Sequence, residues 1–267
     1  MNFCLSQYFE GKTKLVDQIP ALIPAHDCYI EPLGGMASVL FNKVPSRVEV
    51  YNDRYGDLVN FFMCVKTDAM KLRTEIEKMP YSRKIYRRVL EDFKDKDVEN
   101  PLALEYVRAA RFFYIMNTGF GAKPAIHQSL GSFGYAKKQR NRARALWRKT
   151  SILEGATERL RNVIIECLDF ADCIKRYDTP NSVFYCDPPY YASDNPGISF
   201  TEEQHKQLAD TLTSVKGKWI LTYDDHPKVR ELYDKYSLQY VDVPRTADKS
   251  LGVHTRLQHL IITNFCK

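Results

Sequence analysis

Apolar and polar positions alternate in two regular ways near both ends of the chain. Short apolar runs stop at turn residues, as buried strands do, and segments with apolar residues three or four apart follow them, as amphipathic helices do. The predicted strands cover residues 28–33, 47–51, 183–186, 218–223, 238–243 and 257–263. The predicted helices cover residues 36–42 and 58–65 and begin near Thr201 and Pro227. Alternating strands and helices are typical of a mostly parallel α/β sheet.

The middle of the chain has a different pattern. It is rich in Lys, Arg and Tyr, with helical spacing at residues 102–115 and a glycine-rich stretch at 119–134. This pattern predicts an inserted helical lobe that carries a loop or a hairpin. We therefore assign residues 1–69 and 150–267 to one α/β domain and residues 70–149 to an insertion.

Composition places the chain among globular proteins of a reducing compartment. Hydrophobic residues make up 44% of the sequence, and no apolar stretch approaches the ~18 residues that a membrane span requires. The first residues have no signal-peptide pattern. The seven cysteines form no C-x-x-C pair and the six histidines have no ligand spacing, so we expect neither a disulfide framework nor a metal site. The predicted location is the cytoplasm.

Positive charge is concentrated in one run. The net charge is only +6, but residues 137–149, KKQRNRARALWRK, contain seven cations and no acid. Such a run is either a solvated helix face or a surface for a polyanion, and we favour nucleic-acid contact because phosphate neutralisation needs a patch of this kind. The candidate contacts are Lys137, Lys138, Arg140, Arg142 and Arg144.

The most specific motif is Asp187-Pro188-Pro189-Tyr190, directly after the strand at 183–186. A proline pair cannot continue a strand ladder because it has no N–H groups to donate, so the chain leaves the sheet at Asp187. Ligands of open α/β sheets bind beyond the carboxyl ends of the strands. A carboxylate, a carbonyl and an aromatic ring at such a place can hold a planar ring that carries an amine. The adjacent cysteine, residue 186, is predicted to be a buried structural residue.

A second motif follows the first predicted strand. Gly34-Gly35 would let the backbone approach a ligand closely, and Asp53 at the end of the next strand could accept hydrogen bonds from both ribose hydroxyls. The glycines do not form G-x-G-x-x-G, which disfavours a dinucleotide pyrophosphate. An adenosine cofactor without phosphate fits better, and S-adenosylmethionine is the common one.

Taken in order, the motifs resemble the Dam-like DNA adenine-N6 methyltransferases of the α group. The matching segments are residues 10–12 (EGK), 29–35 (YIEPLGG), 52–53 (ND), 169–170 (DF), 187–190 (DPPY) and 200–204 (FTEEQ). The resemblance covers most of the chain and is weakest in the central lobe. It implies a Rossmann-like methyltransferase sheet, mostly parallel with an antiparallel final strand, and S-adenosylmethionine as cofactor. The implied cofactor contacts are Tyr8, Lys12, Glu31, Gly34, Gly35, Asp53, Asp169, Phe170 and Asp187.

The resemblance also implies the reaction, methylation of the exocyclic N6 of adenine in double-stranded DNA after base flipping. Asp187 and the Pro188 carbonyl would accept the two amine hydrogens, and Tyr190 would stack on the flipped base. Tyr191 is either a second wall for the base or a packing residue. A cognate restriction endonuclease is left open as a partner, and nothing in the sequence indicates an obligate protein partner or a membrane.

Other interpretations stay open at this point. A cytosine-N4 or RNA adenine methyltransferase would hold a conjugated amine in the same way. The departures from the family pattern at Leu33 and Met36 leave room for another class, a base-flipping or DNA-binding module without catalysis. The DNA sequence is not predicted, because residues 116–123 lack the arginine of the hairpin that reads GATC in Dam-like enzymes; Lys123 is the candidate base contact there. Arg108 is either a phosphate contact or part of a solvated helix face.

Overall fold

The computed structural model describes residues 17–93, 104–120, 132–134, 142–191, 199–244 and 256–265. Its strands are β1 (Cys28–Glu31), β2 (Val48–Asn52), β3 (Gly119–Phe120), β4 (Ser132–Phe133), β5 (Val163–Glu166), β6 (Ser182–Cys186), β7 (Lys218–Asp224), β8 (Ser237–Pro244) and β9 (Arg256–Thr263). Its helices are α1 (Ser38–Asn42), α2 (Gly56–Glu77), α3 (Arg83–Phe93), α4 (Tyr106–Thr118), α5 (Arg142–Thr150), α6 (Leu153–Leu160), α7 (Phe170–Tyr177), α8 (Glu202–Ser214) and α9 (Pro227–Leu232). A short 3-10 helix covers Ile19–Ala21.

The described residues form two compact units. The sheet unit contains the described residues of 17–54 and 168–265, and the helical unit contains those of 55–167. None of the described helices is both long and apolar enough to cross a membrane.

In the sheet unit the strand order is β2-β1-β6-β7-β9-β8. Strand β1 pairs in parallel with β2 on one side and β6 on the other, and β6 pairs in parallel with β7. Strand β9 runs antiparallel to both β7 and β8. The predicted fold class, a mostly parallel sheet with an antiparallel final strand, is confirmed.

Burial on both faces explains the apolar runs of the central strands. All five residues of β6 are buried, as is typical of parallel strands covered on two sides. The core beside it includes Ile30, Trp219 and Leu260, with Cys173 of α7 and Leu208 of α8 packed against the sheet. The apolar side chains of the central strands therefore form the core against which α7 and α8 pack.

Two predicted boundaries near β1 are wrong by two residues. The strand ends at Glu31 rather than at residue 33, and the helix begins at Ser38 rather than at residue 36. A turn lies between them, with Gly35 (φ 49°) and Ala37 (φ 54°) in the left-handed region. Sequence pointed to Leu33 and Met36 as the irregular positions, whereas the unusual backbone of a non-glycine residue falls on Ala37.

Side-chain caps set the starts of α8 and α9 in the sheet unit. Thr201 caps α8 in the predicted capping box, accepting from the Gln204 N–H while the Gln204 side chain accepts from the Thr201 N–H. The His226 side chain accepts from the N–H of Lys228 at the start of α9, which agrees with the expected helix entry before Pro227.

The helical unit is built around α2 and α4. Helix α2 runs well beyond the predicted 58–65 because buried apolar residues continue to Ile76, with non-helical backbone at Asp68. The rings of Phe61 and Phe113 stack at 5.9 Å between the two helices. Strands β3 and β4 pair antiparallel, within the stretch predicted to be a loop or a hairpin.

One ion pair of the helical unit involves Arg108, which the sequence left as either a phosphate contact or part of a solvated face. Arg108 of α4 donates to both carboxylate oxygens of Asp57, whose side chain is 2% exposed. Its guanidinium also lies 4.6 Å from the Phe93 ring centroid. Arg108 therefore stabilises the packing of the unit and is not part of a solvated face.

Candidate active site

The site is placed by the order of the strands. After β1 the chain continues to β2 on one side of it, and it later returns with β6 on the other side of β1, so the direction of the strand order reverses at β1. Ligands of open α/β sheets bind at this switch point, beyond the carboxyl ends of the strands. Asp53 directly follows β2 and Asp187 directly follows β6. Two carboxylates thus stand at the strand ends on either side of the glycine turn after β1.

The glycine turn is tied to the end of β2. Gly34 N–H donates to the Asn52 carbonyl (2.8 Å), and Gly35 N–H donates to Oδ2 of Asp53 (2.9 Å). The Tyr51 hydroxyl donates to the Gly35 carbonyl at 2.8 Å. A Cβ on Gly34 would lie 2.4 Å from Cε2 of Tyr51, so a side chain at this position would force the turn away from β2.

Asn52 connects the same turn to the segment before α7. Its amide donates to the carbonyls of Pro32 (2.8 Å) and Leu168 (3.0 Å), and its Oδ1 accepts from the Leu168 N–H (2.8 Å). Asn52 is fully buried. Its hydrogen-bonded amide therefore joins three segments at the edge of the sheet, namely the end of β2, the glycine turn and the segment before α7. The sequence singled out Asn52 only as the neighbour of Asp53.

Glu31 is engaged inside the protein. Its Oε1 accepts from the Tyr29 hydroxyl (2.8 Å) and from the Leu40 N–H of α1 (2.7 Å), and the residue is 1% exposed. Burial raises the pKa of Glu31 to about 7, against the opposing effect of these hydrogen bonds. Glu31 therefore fixes α1 on β1, immediately behind the glycine turn.

Asp169 and Phe170 lie at the start of α7. Asp169 is the N-cap, with Oδ1 accepting from the Ala171 N–H at 2.9 Å, and its Oδ2 lies 3.9 Å from the exposed guanidinium of Arg54. The Phe170 ring is 4% exposed and stacks on Phe200 at 5.4 Å. Both residues stand in the sheet unit with the glycine turn and Asp53, and both also have structural roles.

The Asp187 carboxylate is oriented by a residue of the next strand. Thr222 of β7 is fully buried, and its hydroxyl donates to Oδ1 of Asp187 at 2.9 Å. The same hydroxyl lies 3.3 Å from the Tyr185 hydroxyl and 3.3 Å from the Cys186 carbonyl. Thr222 is a functional candidate that sequence reasoning missed.

Cys186 and Pro188 flank Asp187. Cys186 is fully buried, and burial raises the pKa of its thiol, so the predicted structural cysteine is confirmed over a nucleophile. Pro188 is buried at the end of the strand.

Tyr190 packs beside the Asp187 carboxylate. Its ring lies 5.8 Å from Tyr223 and 5.5 Å from His259, between centroids. Burial and the charge of Asp187 raise the pKa of the Tyr190 hydroxyl well above its usual value. The hydroxyl therefore stays protonated at neutral pH, next to the carboxylate.

Tyr191 stacks on two imidazole rings. The centroid distances are 3.7 Å to His205 and 4.8 Å to His226, with planes tilted by 14° and 3°. His205 Nδ1 lies 2.6 Å from the Tyr223 hydroxyl, and burial lowers the pKa of His205 to about 4. These contacts favour the packing role for Tyr191 over a second wall for a base.

The remaining predicted residues divide between two places. Arg142 and Arg144 are on α5 in the helical unit, where Arg144 is exposed and the Arg142 guanidinium lies against Gly134. The others lie outside the described residues: Tyr8, Lys12, Lys123, Lys137, Lys138 and Arg140. Among the described residues, no group of three or more His, Cys, Asp or Glu side chains is placed to hold a metal ion.

Known proteins resemble this chain over most of its length. A DNA adenine methylase of Escherichia coli (strain K12) is 27% identical over 97% of this chain and 94% of its own length. One of Salmonella typhi is 26% identical with the same coverage, and one of Vibrio cholerae is 24% identical over 94% of this chain and 92% of its own length.

The family model that matches the chain describes a D12 class N6 adenine-specific DNA methyltransferase and extends over residues 8–247. The match includes the glycine turn and both strand-end carboxylates. Because it covers most of the sequence, this protein belongs to the D12 class of N6 adenine-specific DNA methyltransferases.

Proposed function

We propose that the methyl donor is S-adenosylmethionine, bound where β1 and β2 end, and that Asp187 and Pro188 receive the target amine beside it. Membership of the family gives the reaction, methylation of adenine N6 in DNA. The observation that carries the proposal is the placement of Asp53 and Asp187 at the ends of the two strands that flank β1.

The residues at the strand ends suit an adenosine-bearing donor. Asp53 is already positioned by the Gly35 N–H, and a carboxylate at the end of the second strand is the usual partner of ribose hydroxyls in such sheets. Close approach of a ligand to the backbone is possible at Gly34 and Gly35, where no side chain intervenes. Asp169 and Phe170 offer an acceptor and an aromatic edge for the adenine ring. The proposed contacts of Tyr8 and Lys12 lie outside the described residues.

The target nitrogen needs acceptors more than it needs a base. The lone pair of an aromatic amine is delocalised into the ring, which makes the nitrogen a poor nucleophile. The Asp187 carboxylate and the Pro188 carbonyl would accept its two hydrogens and favour the pyramidal form, whose lone pair is available. The sulfonium of the donor supplies a methyl group that is already activated. Alignment of the two reactants then gives most of the rate.

Asp187 holds its orientation through Thr222. A carboxylate with one oxygen fixed in this way does not need to rotate when the amine arrives, which reduces the reorganisation that accompanies the reaction. The methylated nitrogen becomes acidic as it gains positive charge, so its proton can pass to Asp187 and then to water.

The target adenine must leave the duplex to reach this edge of the sheet. Flipping costs a few kcal/mol, which contacts to the flipped base must offset. We assign that role to Tyr190, because its ring lies beside Asp187 and is part of an aromatic cluster with Tyr223 and His259. DNA recognition is assigned to residues 70–149, with Arg142, Arg144 and the cations at 123, 137, 138 and 140 as contacts.

Substitution of Asp187 tests the proposal. Asp187→Ala is expected to abolish methyl transfer to duplex DNA while the unfolding temperature stays near that of the wild type, because Asp187 is half-buried at a strand end. Asp210→Ala, an exposed aspartate on α8, is the matched control and should keep full activity. Undiminished transfer by Asp187→Ala would refute the mechanism.

Product analysis separates the other interpretations. Chromatography of nucleosides from methylated DNA should give N6-methyladenine, whereas N4-methylcytosine would support the cytosine alternative. Transfer to RNA in preference to DNA would support the RNA alternative. A module without catalysis would bind duplex DNA but show no heat of binding with S-adenosylhomocysteine.

We also propose a cytoplasmic location. Its support is the free thiols of the five cysteines within the described residues, namely Cys28, Cys64, Cys167, Cys173 and Cys186, since free thiols are usual in a reducing compartment. A cognate restriction endonuclease stays a prediction.

A further inference from the structure

We infer that the exposed face of α3 is a second DNA-backbone surface of this methyltransferase, built from Arg83, Lys84, Arg87 and Arg88. The inference rests on the proposed function, because it takes duplex DNA as the partner. All four side chains are exposed, while the opposite face of α3, with Tyr86, Val89, Leu90 and Phe93, is buried.

The order of charges along α3 is the reverse of what a helix favours on its own. A helix dipole stabilises acids in the first turn and cations in the last turn. Helix α3 has no acid in its first turn and no cation in its last turn. Its cations occupy the first half, and Glu91 and Asp92 come near the end. Repulsion between the cations and the positive end of the helix is relieved when an external anion binds there.

Helix α7 shows the ordinary arrangement in the same protein. Asp172 is in its first turn, and Lys175 and Arg176 are in its last turn. Both cations are exposed. The position of Lys175 and Arg176 is thus explained by the helix itself, whereas the position of Arg83 and Lys84 in the first turn of α3 is not.

Three of the α3 cations, Lys84, Arg87 and Arg88, form no ion pair among the described residues. Asp92, which is four residues after Arg88, instead pairs with Arg111 of α4 at 3.1 Å. Three cations of one helix face are therefore available to a partner.

The α3 surface continues into residues already assigned to DNA. The Phe133 ring of β4 packs against Tyr81 (4.9 Å) and Tyr86 (5.7 Å), and the Arg83 guanidinium lies 5.4 Å from its centroid. Gly134, the next residue, lies against the Arg142 guanidinium. The start of α3, strand β4 and the start of α5 therefore form one surface of positive charge.

The dimensions fit a phosphate backbone. The stretch from Arg83 to Arg88 covers about 7.5 Å of helix axis, and one strand of B-DNA presents a phosphate about every 3.4 Å along its axis. Arginine side chains on successive helical turns can thus contact neighbouring phosphates of one strand. Such contacts position the duplex without reading its sequence.

Paired substitutions on two helices test the inference. Arg87→Gln/Arg88→Gln removes two cations from α3, and Lys175→Gln/Arg176→Gln removes two adjacent exposed cations from α7 as the matched control. The measurement is the affinity for a labelled DNA duplex at several salt concentrations, without methyl donor. Loss of two phosphate contacts should flatten the slope of log affinity against log salt by about 1.8 for the α3 pair. The α7 pair should keep the slope of the wild type.

Thermal unfolding supplies a second readout. The α3 pair should unfold at about the temperature of the wild type, because both side chains are exposed, and the α7 pair should unfold at the same temperature or lower because it loses cations from the last turn of a helix. An unchanged salt slope in the α3 pair, or an equal change in both pairs, overturns the inference. Methylation by the wild type is measured in parallel, so that absence of methylation would count against the proposed function and an unchanged slope against the α3 surface.

Discussion

The hydroxyl of Thr222 donates a hydrogen bond of 2.9 Å to Oδ1 of Asp187, from the strand next to the one that Asp187 follows. Both groups are held by the same pair of parallel strands, in which Cys186 lies opposite Leu221. The register therefore places one residue beyond Leu221 beside one residue beyond Cys186. A carboxylate on a chain that has left the sheet is in this way fixed by the sheet itself.

Thr222→Val should lower kcat without unfolding the protein. Valine has nearly the shape of threonine but cannot donate, and a hydrogen bond to a charged group contributes about 1.5–3 kcal/mol. If that energy serves to orient Asp187, kcat falls about 10- to 100-fold. The KM for the methyl donor should change little. Thr222→Ser restores the donor and should recover most of the rate; equal loss in both variants would point to packing instead.

The pH dependence of stability should report Glu31. Its pKa in the folded protein is about 7, above the ordinary value of 4.5, so the protonated form is favoured by folding. This contribution is fully present below pH 4.5 and is lost as the pH rises through 7, an amount of about 3 kcal/mol. Glu31→Gln cannot titrate. Urea unfolding from pH 5 to 8 should therefore show a steeper decline for the wild type than for the variant, and parallel curves would contradict the assignment.

Gly34→Ala in the glycine turn should destabilise the protein. Gly34→Ala brings a methyl group into the Tyr51 ring, and overpacking of this kind costs about 1–3 kcal/mol. It should lower both the unfolding temperature and the affinity for S-adenosylhomocysteine in calorimetry.

Ala37→Gly should instead leave the unfolding temperature unchanged or raise it. The left-handed backbone at Ala37 costs an L-residue about 1–2 kcal/mol, which exceeds the roughly 0.5–1 kcal/mol of chain entropy that glycine adds. A clear fall in unfolding temperature for Ala37→Gly would show that packing of the alanine methyl group stabilises the protein by more than the left-handed backbone costs.

The Arg108 and Asp57 pair should behave as a structural unit. Asp57→Asn or Arg108→Met alone leaves one buried charge without compensation and should cost about 3–5 kcal/mol of unfolding free energy. The double variant Asp57→Leu/Arg108→Met should recover much of that loss. Salt dependence of DNA binding should be the same for this double variant and the wild type, because the Arg108 guanidinium is paired with Asp57 and lies over the Phe93 ring. A flattened slope would return Arg108 to the phosphate contacts.

Local sequence signals were enough to predict the six strands of the sheet unit, the capping box of α8 and the strand-end motif. The capping box at Thr201 and the end of β6 at Asp187 each depend on residues a few positions apart, so both can be predicted from local sequence. The same holds for the buried state of Cys186, which follows from its place in an apolar run.

The supports of the site could not be predicted in this way, because they depend on pairings between distant segments. Thr222 reaches Asp187 only through the register of β6 and β7, and Asn52 meets Leu168 from 116 positions away. The ion pair of Arg108 crosses from α4 to α2. The local sequence around a cation on a helix does not show whether its partner is water, a phosphate or a buried carboxylate.

Strand β9 has a consequence for how the protein is made. It is the last described strand of the chain, yet it lies between β7 and β8 and pairs with both. During synthesis β7 and β8 emerge first and have no neighbour on their shared side until residues 256–263 follow. The backbone edge of β7 that β9 covers stays open to other chains for that interval. The sheet can therefore be completed only after its final strand has left the ribosome, and chains that stop before residue 256 should aggregate.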